Sequence, residues 1–132
     1  MRTFIDTSAF YALLDRDDGN SKRAKKVWTG LLGSDQPLVT SNYILVEAFA
    51  LMQNRLGLEA VRGFQEDILP VVEIEFVFPE LHRSGIAALL SASRRSLSLV
   101  DCVSFELMRS LQIKTVFAFD SHFKEQGFVV LT

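Results

Sequence analysis

The sequence lacks the features that would cross-link, export or anchor the chain. Cys102 is its only cysteine, so no intrachain disulfide can form, and the amino terminus has no basic region followed by an apolar stretch and a cleavage site. The most apolar long segment, Tyr43 to Met52, is interrupted by Glu47 and is far shorter than the roughly 20 residues needed to cross a bilayer. We therefore expect a cytoplasmic protein with no membrane role.

A strong charge of either sign is also absent. The net charge is −2 and the pI about 5.6, which argues against a protein that coats nucleic acid without selectivity, because such binding depends on neutralising phosphates. The basic residues instead form two local clusters, one at Lys22, Arg23, Lys25 and Lys26 and the other at Arg94 and Arg95. From composition alone, either cluster is equally compatible with an ordinary solvated face.

Several well-known phosphate sites are missing as well. The glycine pair in Gly30-Leu31-Leu32-Gly33 closes a predicted helix, whereas a phosphate-binding loop would open a helix after a strand. A phosphatase with an aspartate nucleophile would need a second acid two residues after Asp6, where Ser8 stands. Any phosphate chemistry must therefore use another arrangement.

What the sequence does contain is an alternation of short strands and helices. Its 132 residues, 48% of them hydrophobic and eleven of them Phe, predict one domain over residues 1–132 with a phenylalanine-rich core. We predict strands at residues 3–5, 37–40, 71–78, 115–119 and 128–131, and helices at about 9–14, 22–32, 42–56, 58–69, 79–93 and 98–111. This order predicts an α/β protein, a three-layer α/β/α sandwich around a mostly parallel sheet.

Two aspartates stand at the predicted carboxyl ends of strands. They occur in similar phrases, Phe4-Ile5-Asp6-Thr7-Ser8 and Phe117-Ala118-Phe119-Asp120-Ser121. Ligands of open parallel sheets bind beyond these strand ends. Each aspartate could instead be a helix N-cap, although Thr7 and Ser121 offer alternative caps.

Two further acids interrupt apolar helix faces. Glu47 has Tyr43, Ile44 and Leu51 as helical neighbours, so it is expected on the inward face with a partner, either a metal or an internal salt bridge. Asp101 ends Ser98-Leu99-Val100-Asp101, which has the form of a capping box with Asp in place of Glu. Capping does not exclude a second role for Asp101.

Convergence of these four acids predicts a divalent-metal site. Clustered carboxylates repel one another until a cation neutralises them, and an all-oxygen ligand set favours Mg²⁺ or Mn²⁺ over Zn²⁺. We interpret His82 as a helix-surface residue and His122 as adjacent to the site at most.

Four ordered blocks of the sequence resemble the PIN-domain family, most closely its VapC-like toxin ribonucleases. The blocks are residues 4–10, 40–47, 98–102 and 117–123, and together they span nearly the whole chain. The resemblance implies a metal-dependent endoribonuclease that cuts RNA, works as a homodimer and is inhibited by a small antitoxin protein. It also implies that Asp6, Glu47, Asp101 and Asp120 are the catalytic, metal-binding residues.

The same resemblance implies that Thr7, Ser8 and Asn42 orient the acids or contact phosphate. Our further candidates for contacts with the RNA backbone are Arg94, Arg95 and the basic cluster from Lys22 to Lys26. The chain departs from many close relatives at Val100, where Thr or Ser often stands, and at Ser121, where Arg often stands. A His often found after the first helix is also missing.

Three alternatives remain open from the sequence. The chain could be an RNA-processing nuclease outside a toxin pair, a metal-dependent phosphatase, or a catalytically inactive PIN scaffold that binds RNA or protein. Retention of all four acids counts against the inactive scaffold, which would need none of them.

Overall fold

The computed structural model describes residues 1–132, and a five-stranded parallel sheet lies at its centre. The strands are β1 (Thr3–Ile5), β2 (Leu38–Ser41), β3 (Glu73–Glu75), β4 (Thr115–Phe117) and β5 (Val129–Leu131). Their order across the sheet is β3-β2-β1-β4-β5, and Phe4 of β1 pairs with Val39 on one side and Val116 on the other. Every pairing is parallel, as the alternation of strands and helices predicts.

Seven helices connect the strands. They are α1 (Thr7–Leu14), α2 (Ser21–Gly33), α3 (Asn42–Leu56), α4 (Leu58–Gly63), α5 (Pro79–Ala92), α6 (Leu99–Ser110) and α7 (His122–Glu125). The Ser41 hydroxyl caps α3 by accepting from Ile44 N at 3.1 Å, and Gly57 ends the helix with a φ of 90° that favours glycine. None of the seven helices combines the length and apolarity that a membrane span requires.

The strand order creates a switch point between β1 and β4. The chain extends the sheet from β1 through β2 to β3, and then returns to the other side of β1 for β4 and β5. Parallel strands are almost always joined by right-handed crossovers, so connections that run in these two directions place helices on opposite faces of the sheet. The fold confirms the predicted α/β/α sandwich. The loops after β1 and β4 diverge at this point and leave a crevice there.

Phenylalanine fills much of the core. Phe4, Phe10, Phe64, Phe117 and Phe123 are all fully buried. Phe64 packs edge-on against Phe10, with ring centroids 4.9 Å apart. Such packing stabilises a small domain through both buried area and ring geometry, and it confirms the phenylalanine-rich core expected from the composition.

Two predicted elements differ from the structure near Pro70. The helix predicted at 58–69 remains α-helical only through Gly63, followed by a π-helical turn at Phe64–Ile68 and a 3₁₀ turn at Leu69–Val71. Proline has no N–H to donate and its ring crowds the preceding turn. The strand predicted at 71–78 shortens to Glu73–Glu75, because β3 is an edge strand that pairs only with the short β2.

The end of β4 also differs from the prediction. The strand stops at Phe117, two residues before the predicted end, because the backbone beyond it bonds to other partners. Phe119 N donates to Ser8 Oγ at 2.9 Å, away from the strand ladder. The four-residue helix α7 was not predicted, since one turn is too short to show a helical period.

Candidate active site

Asp6 lies directly after β1 and caps α1. Its Oδ2 atom accepts from Ser8 N at 3.1 Å and from Ser8 Oγ at 2.7 Å, and the residue is only 4% exposed. Burial raises the pKa of Asp6 from an ordinary value of 3.8 to about 7; the Ser8 hydrogen bonds oppose this rise and the charges of Asp101 and Asp120 add to it. Helix capping and a place in an acidic site therefore coexist at this residue.

Ser8 joins the ends of the two central strands. Its hydroxyl donates to Asp6 and accepts from Phe119 N, while Asp6 N donates to Phe117 O at 3.1 Å. These bonds fix the position of the Asp6 carboxylate relative to the loop after β4. The site is thus held by the backbone of both strands.

Glu47 projects from α3 and is half-buried. Glu47 makes no ion pair with any basic side chain. The internal salt bridge, which was the alternative to a metal as the partner of Glu47, is therefore absent. Desolvation raises the pKa of Glu47, and the charges of Asp101 and Asp120 raise it further. The Thr7 hydroxyl lies close enough to Glu47 to oppose this rise in pKa, but the two side chains do not form a hydrogen bond.

Asp101 forms the capping box predicted for the start of α6. Its Oδ2 atom accepts from Ser98 N at 3.1 Å, and its own N–H donates to Ser98 Oγ at 3.0 Å. The pKa of Asp101 is raised, mainly by desolvation, because the side chain is only 13% exposed. The charge of Asp120 adds to the rise, whereas the Ser98 hydrogen bonds and His122 oppose it.

Asp120 follows β4 and contacts His122. Its Oδ1 atom accepts from His122 N at 2.9 Å and lies 2.7 Å from His122 Nδ1, without the angle of a hydrogen bond to that ring nitrogen. The same Nδ1 lies 3.9 Å from Asp101 Oδ2. His122 is therefore part of the acidic cluster. The sequence predicted only that it would lie beside the metal site.

All four predicted acids line one cavity of about 330 Å³. Its lining residues are Asp6, Thr7, Ser8, Glu47, Leu51, Ser98, Asp101 and Asp120. Within and beside this cavity, ligand atoms of Asp101, Asp120 and His122 lie within 4.8 Å of one another. The cavity lies at the switch point between β1 and β4, where the sequence predicts a ligand site.

The residues present fit a divalent cation. The carboxylates have no basic partner other than His122, and the Thr7 hydroxyl is buried without a hydrogen-bond partner at the cavity wall. Carboxylate oxygens with a hydroxyl match Mg²⁺ or Mn²⁺, and the nearby imidazole nitrogen suits Mn²⁺ better than Mg²⁺. The catalytic and metal-binding roles of the four acids stay predictions.

The other predicted substrate residues divide into two groups. Thr7 and Ser8 line the cavity, but Asn42 does not: its Oδ1 atom accepts from Val77 N at 2.8 Å and so holds the loop after β3. Arg94 and Arg95 lie on the exposed loop before Ser98, and Arg94 pairs with Glu125 at 2.9 Å. Neither arginine lines the cavity, and their contact with RNA stays a prediction.

Comparison with known proteins identifies related sequences over almost the full length. The family model described as PIN domain matches residues 3–129. Two proteins from Mycobacterium tuberculosis, strains CDC 1551 / Oshkosh and ATCC 25618 / H37Rv, are each described as 23S rRNA-specific endonuclease VapC20. Each is 35% identical to this chain over 128 residues, which cover 96% of this chain and 95% of the relative.

Solved structures show the same architecture. The crystal structure of Mycobacterium tuberculosis VapC20, described as a sarcin-ricin loop cleaving toxin, matches with a TM-score of 0.84 and 33% identity, covering 96% of both chains. VapBC2 from Rickettsia felis, bound to a promoter DNA fragment, has a TM-score of 0.72 at 11% identity and covers 98% of this chain and 97% of its own. FitAcB from Neisseria gonorrhoeae has a TM-score of 0.68 at 15% identity and covers 100% and 97%. The last two show the fold alone.

Proposed function

The chain belongs to the PIN-domain family, and from this premise we propose that it is a metal-dependent endoribonuclease that hydrolyses RNA phosphodiester bonds. One observation carries the proposal: Asp6, Glu47, Asp101 and Asp120 line a single cavity. The 35% identity to an rRNA endonuclease over 96% of the chain supports the choice of RNA. A binding scaffold would have no need to bring four acids together at such electrostatic cost.

The acids would hold Mg²⁺ or Mn²⁺, which supplies positive charge to the phosphate oxygens and activates the attacking water. Two of the carboxylates are fixed before any ligand arrives, Asp6 by Ser8 and Asp101 by Ser98. Such fixed positions lower the reorganisation needed in the reaction. Because the pKa of Asp6 is raised to about 7, a cation competes with a proton at neutral pH.

We propose structured ribosomal RNA as the first substrate to test. The related VapC20 is described as specific for 23S rRNA and as cleaving the sarcin-ricin loop. A net charge of −2 suits selective cleavage of an exposed loop better than unselective binding, because shape and unstacked bases can carry the recognition.

We further propose that residues 1–132 act as a single PIN-like domain, as the toxin of a toxin–antitoxin pair in the cytoplasm. The related protein is described as a toxin, and this likeness supports a small antitoxin partner. A homodimer is our expectation for the active form. Light scattering would test the dimer. Growth arrest on expression of this protein, relieved by co-expressing a small protein encoded beside it, would test the pair.

The enzymatic proposal is tested by incubating 23S rRNA with the purified protein and Mn²⁺ or Mg²⁺. We expect discrete cleavage that EDTA abolishes and that Asp101→Asn reduces by about 100-fold or more, since the Asn side-chain oxygen can still accept from Ser98 N but carries no charge. Asp17→Asn is the matched control, because Asp17 is an exposed acid outside the cavity. Unchanged cleavage in EDTA or in Asp101→Asn would contradict the proposal.

The same experiment separates the alternatives. Turnover of a simple phosphate ester without RNA cleavage would favour a phosphatase. RNA binding with neither cleavage nor stabilisation by Mn²⁺ would favour an inactive scaffold, because a ligand that binds only the native state raises its melting temperature.

A further inference from the structure

A second cavity adjoins the acidic one through Asp120. It has a volume of about 490 Å³ and lies between α2, the loop after β4 and the start of α7. Asp120 lines both cavities, so the two spaces lie side by side at this residue. The neighbouring cavity is therefore placed to receive whatever flanks the reacting group.

The charge of this second cavity is opposite to that of the first. Arg23 and Lys124 line it, and Asp120 is its only acidic lining residue. Neither cation makes an ion pair, and both are exposed. The Arg23 guanidinium lies 5.5 Å from the centroid of the Phe119 ring and donates to Asn20 Oδ1, so it is held over the cavity by two contacts.

The basic surface continues beyond Arg23. A third cavity, of about 670 Å³, shares Arg23, Val130 and Thr132 with the second and adds Lys26. Arg23 and Lys26 are three residues apart on α2 and thus lie on one face of the helix. We call the second and third cavities together the groove; its cations are Lys124, Arg23 and Lys26.

The rest of the basic cluster does not take part. Lys22 and Lys25 also belong to α2 and are also exposed, yet neither lines the second or the third cavity. The four basic residues of this helix thus divide into a pair in the groove and a pair outside it. Only the pair in the groove can contact a ligand that lies there, so the outer pair is a matched control.

We propose that this groove binds the phosphate backbone of the single-stranded RNA segment on one side of the scissile bond. The proposal rests on the ribonuclease function and adds a specific site to it. Exposed, unpaired cations beside an acidic cavity would neutralise flanking phosphates and offset the repulsion between RNA and the acids. The groove would thereby position the scissile phosphate next to Asp120.

The test compares two double variants of equal charge. Arg23→Gln with Lys26→Gln removes the groove pair, and Lys22→Gln with Lys25→Gln removes the matched pair outside it. Binding of a fluorescent 12-nucleotide single-stranded RNA is measured by anisotropy in EDTA, which prevents metal-dependent cleavage, between 50 and 200 mM salt. Melting temperatures confirm that both variants fold.

We expect the groove variant to lose about 1.4 from the slope of log K against log salt, because each lost phosphate contact on a single strand contributes about 0.7. At 0.1 M salt this corresponds to binding about 25-fold weaker. With Mn²⁺ present, its KM for RNA cleavage should rise while kcat is little changed. The control variant should stay within about twofold of the wild type.

Two results would overturn the inference while leaving the ribonuclease intact. One is normal binding by the groove variant alongside normal cleavage by the wild type. The other is an equal loss in both double variants, which would show general charge attraction instead of a track. If the wild type neither binds nor cuts RNA, the proposed function itself fails, and the inference fails with it.

Discussion

Substituting Asp6→Asn should make the metal-free protein more stable at alkaline pH. Asp6 is 4% exposed, and its pKa is raised from 3.8 to about 7, so the folded state holds a proton that the unfolded chain has already released. The free energy of unfolding is therefore highest below pH 3.8, the pKa of Asp6 in the unfolded chain. It falls as the pH rises through about 7, the pKa of Asp6 in the folded protein. At 1.36 kcal/mol per pH unit, the ionised carboxylate costs about 4 kcal/mol at pH 8.

Asparagine removes this cost and keeps an oxygen that can accept from Ser8 N and Oγ. Chemical unfolding of both proteins in EDTA should show equal stability near pH 3, below the unfolded pKa, and an Asp6→Asn advantage of about 2 to 4 kcal/mol at pH 8. Adding Mn²⁺ at pH 8 should stabilise the wild type and reduce this gap. Equal or lower stability of the variant at pH 8, with the same pH dependence as the wild type, would show that ionised Asp6 does not destabilise the metal-free protein.

Two further variants test other parts of the structure. His122→Asn should weaken Mn²⁺ binding about 10-fold, as read from the Mn²⁺ dependence of the melting temperature, because it removes an imidazole 2.7 Å from Asp120; His82→Asn is the control and an equal loss there would contradict the assignment. Gly85→Ala should destabilise the fold by about 1 to 3 kcal/mol, since its Cβ would lie 2.4 Å from Val103 Cγ2. Gly30→Ala, with nothing within 4 Å of its Cβ, should not destabilise it, and a similar loss in both glycine variants would argue against close packing of α5 on α6.

The positions of the acids could be predicted because strand ends and helix faces are local properties. Asp6 follows a short apolar strand, and Glu47 interrupts an apolar helix face; each signal lies within a few residues of the acid. Parallel pairing then brings the ends of β1 and β4 together. The aspartates that follow these two strands therefore reach one cavity. The alternation of strands and helices in the sequence already indicates the parallel sheet that brings them there.

Other features depend on contacts that no local pattern reveals. His122 joins the cluster because a four-residue helix turns its ring toward Asp120, and such a helix has no periodic signal. Asn42 is the first residue of α3, but its side-chain oxygen accepts from Val77 N, 35 residues away. The basic cluster on α2 was visible in the sequence, whereas the division between groove and outer pairs requires the position of β5.

The early end of β4 shows the same limit. Its apolar run continues to Phe119, so the sequence predicts strand, yet Phe119 N bonds to Ser8 Oγ. That bond links the strand end to the residue that holds Asp6. The predicted end of β4 is wrong because the backbone leaves the sheet at this point and bonds to a residue of the site.

Glu47 offers a decisive test of whether the four acids act as one metal site for RNA cleavage. Glu47 caps no helix and pairs with no cation, so Glu47→Gln removes a charge without removing a structural contact of the fold. The measurement is the rate of RNA cleavage as a function of Mn²⁺ concentration in the wild type and this variant. We predict that the half-maximal Mn²⁺ concentration rises about 10-fold or more, with a lower maximal rate. Cleavage by Glu47→Gln with the same Mn²⁺ dependence and maximal rate as the wild type would contradict the claim.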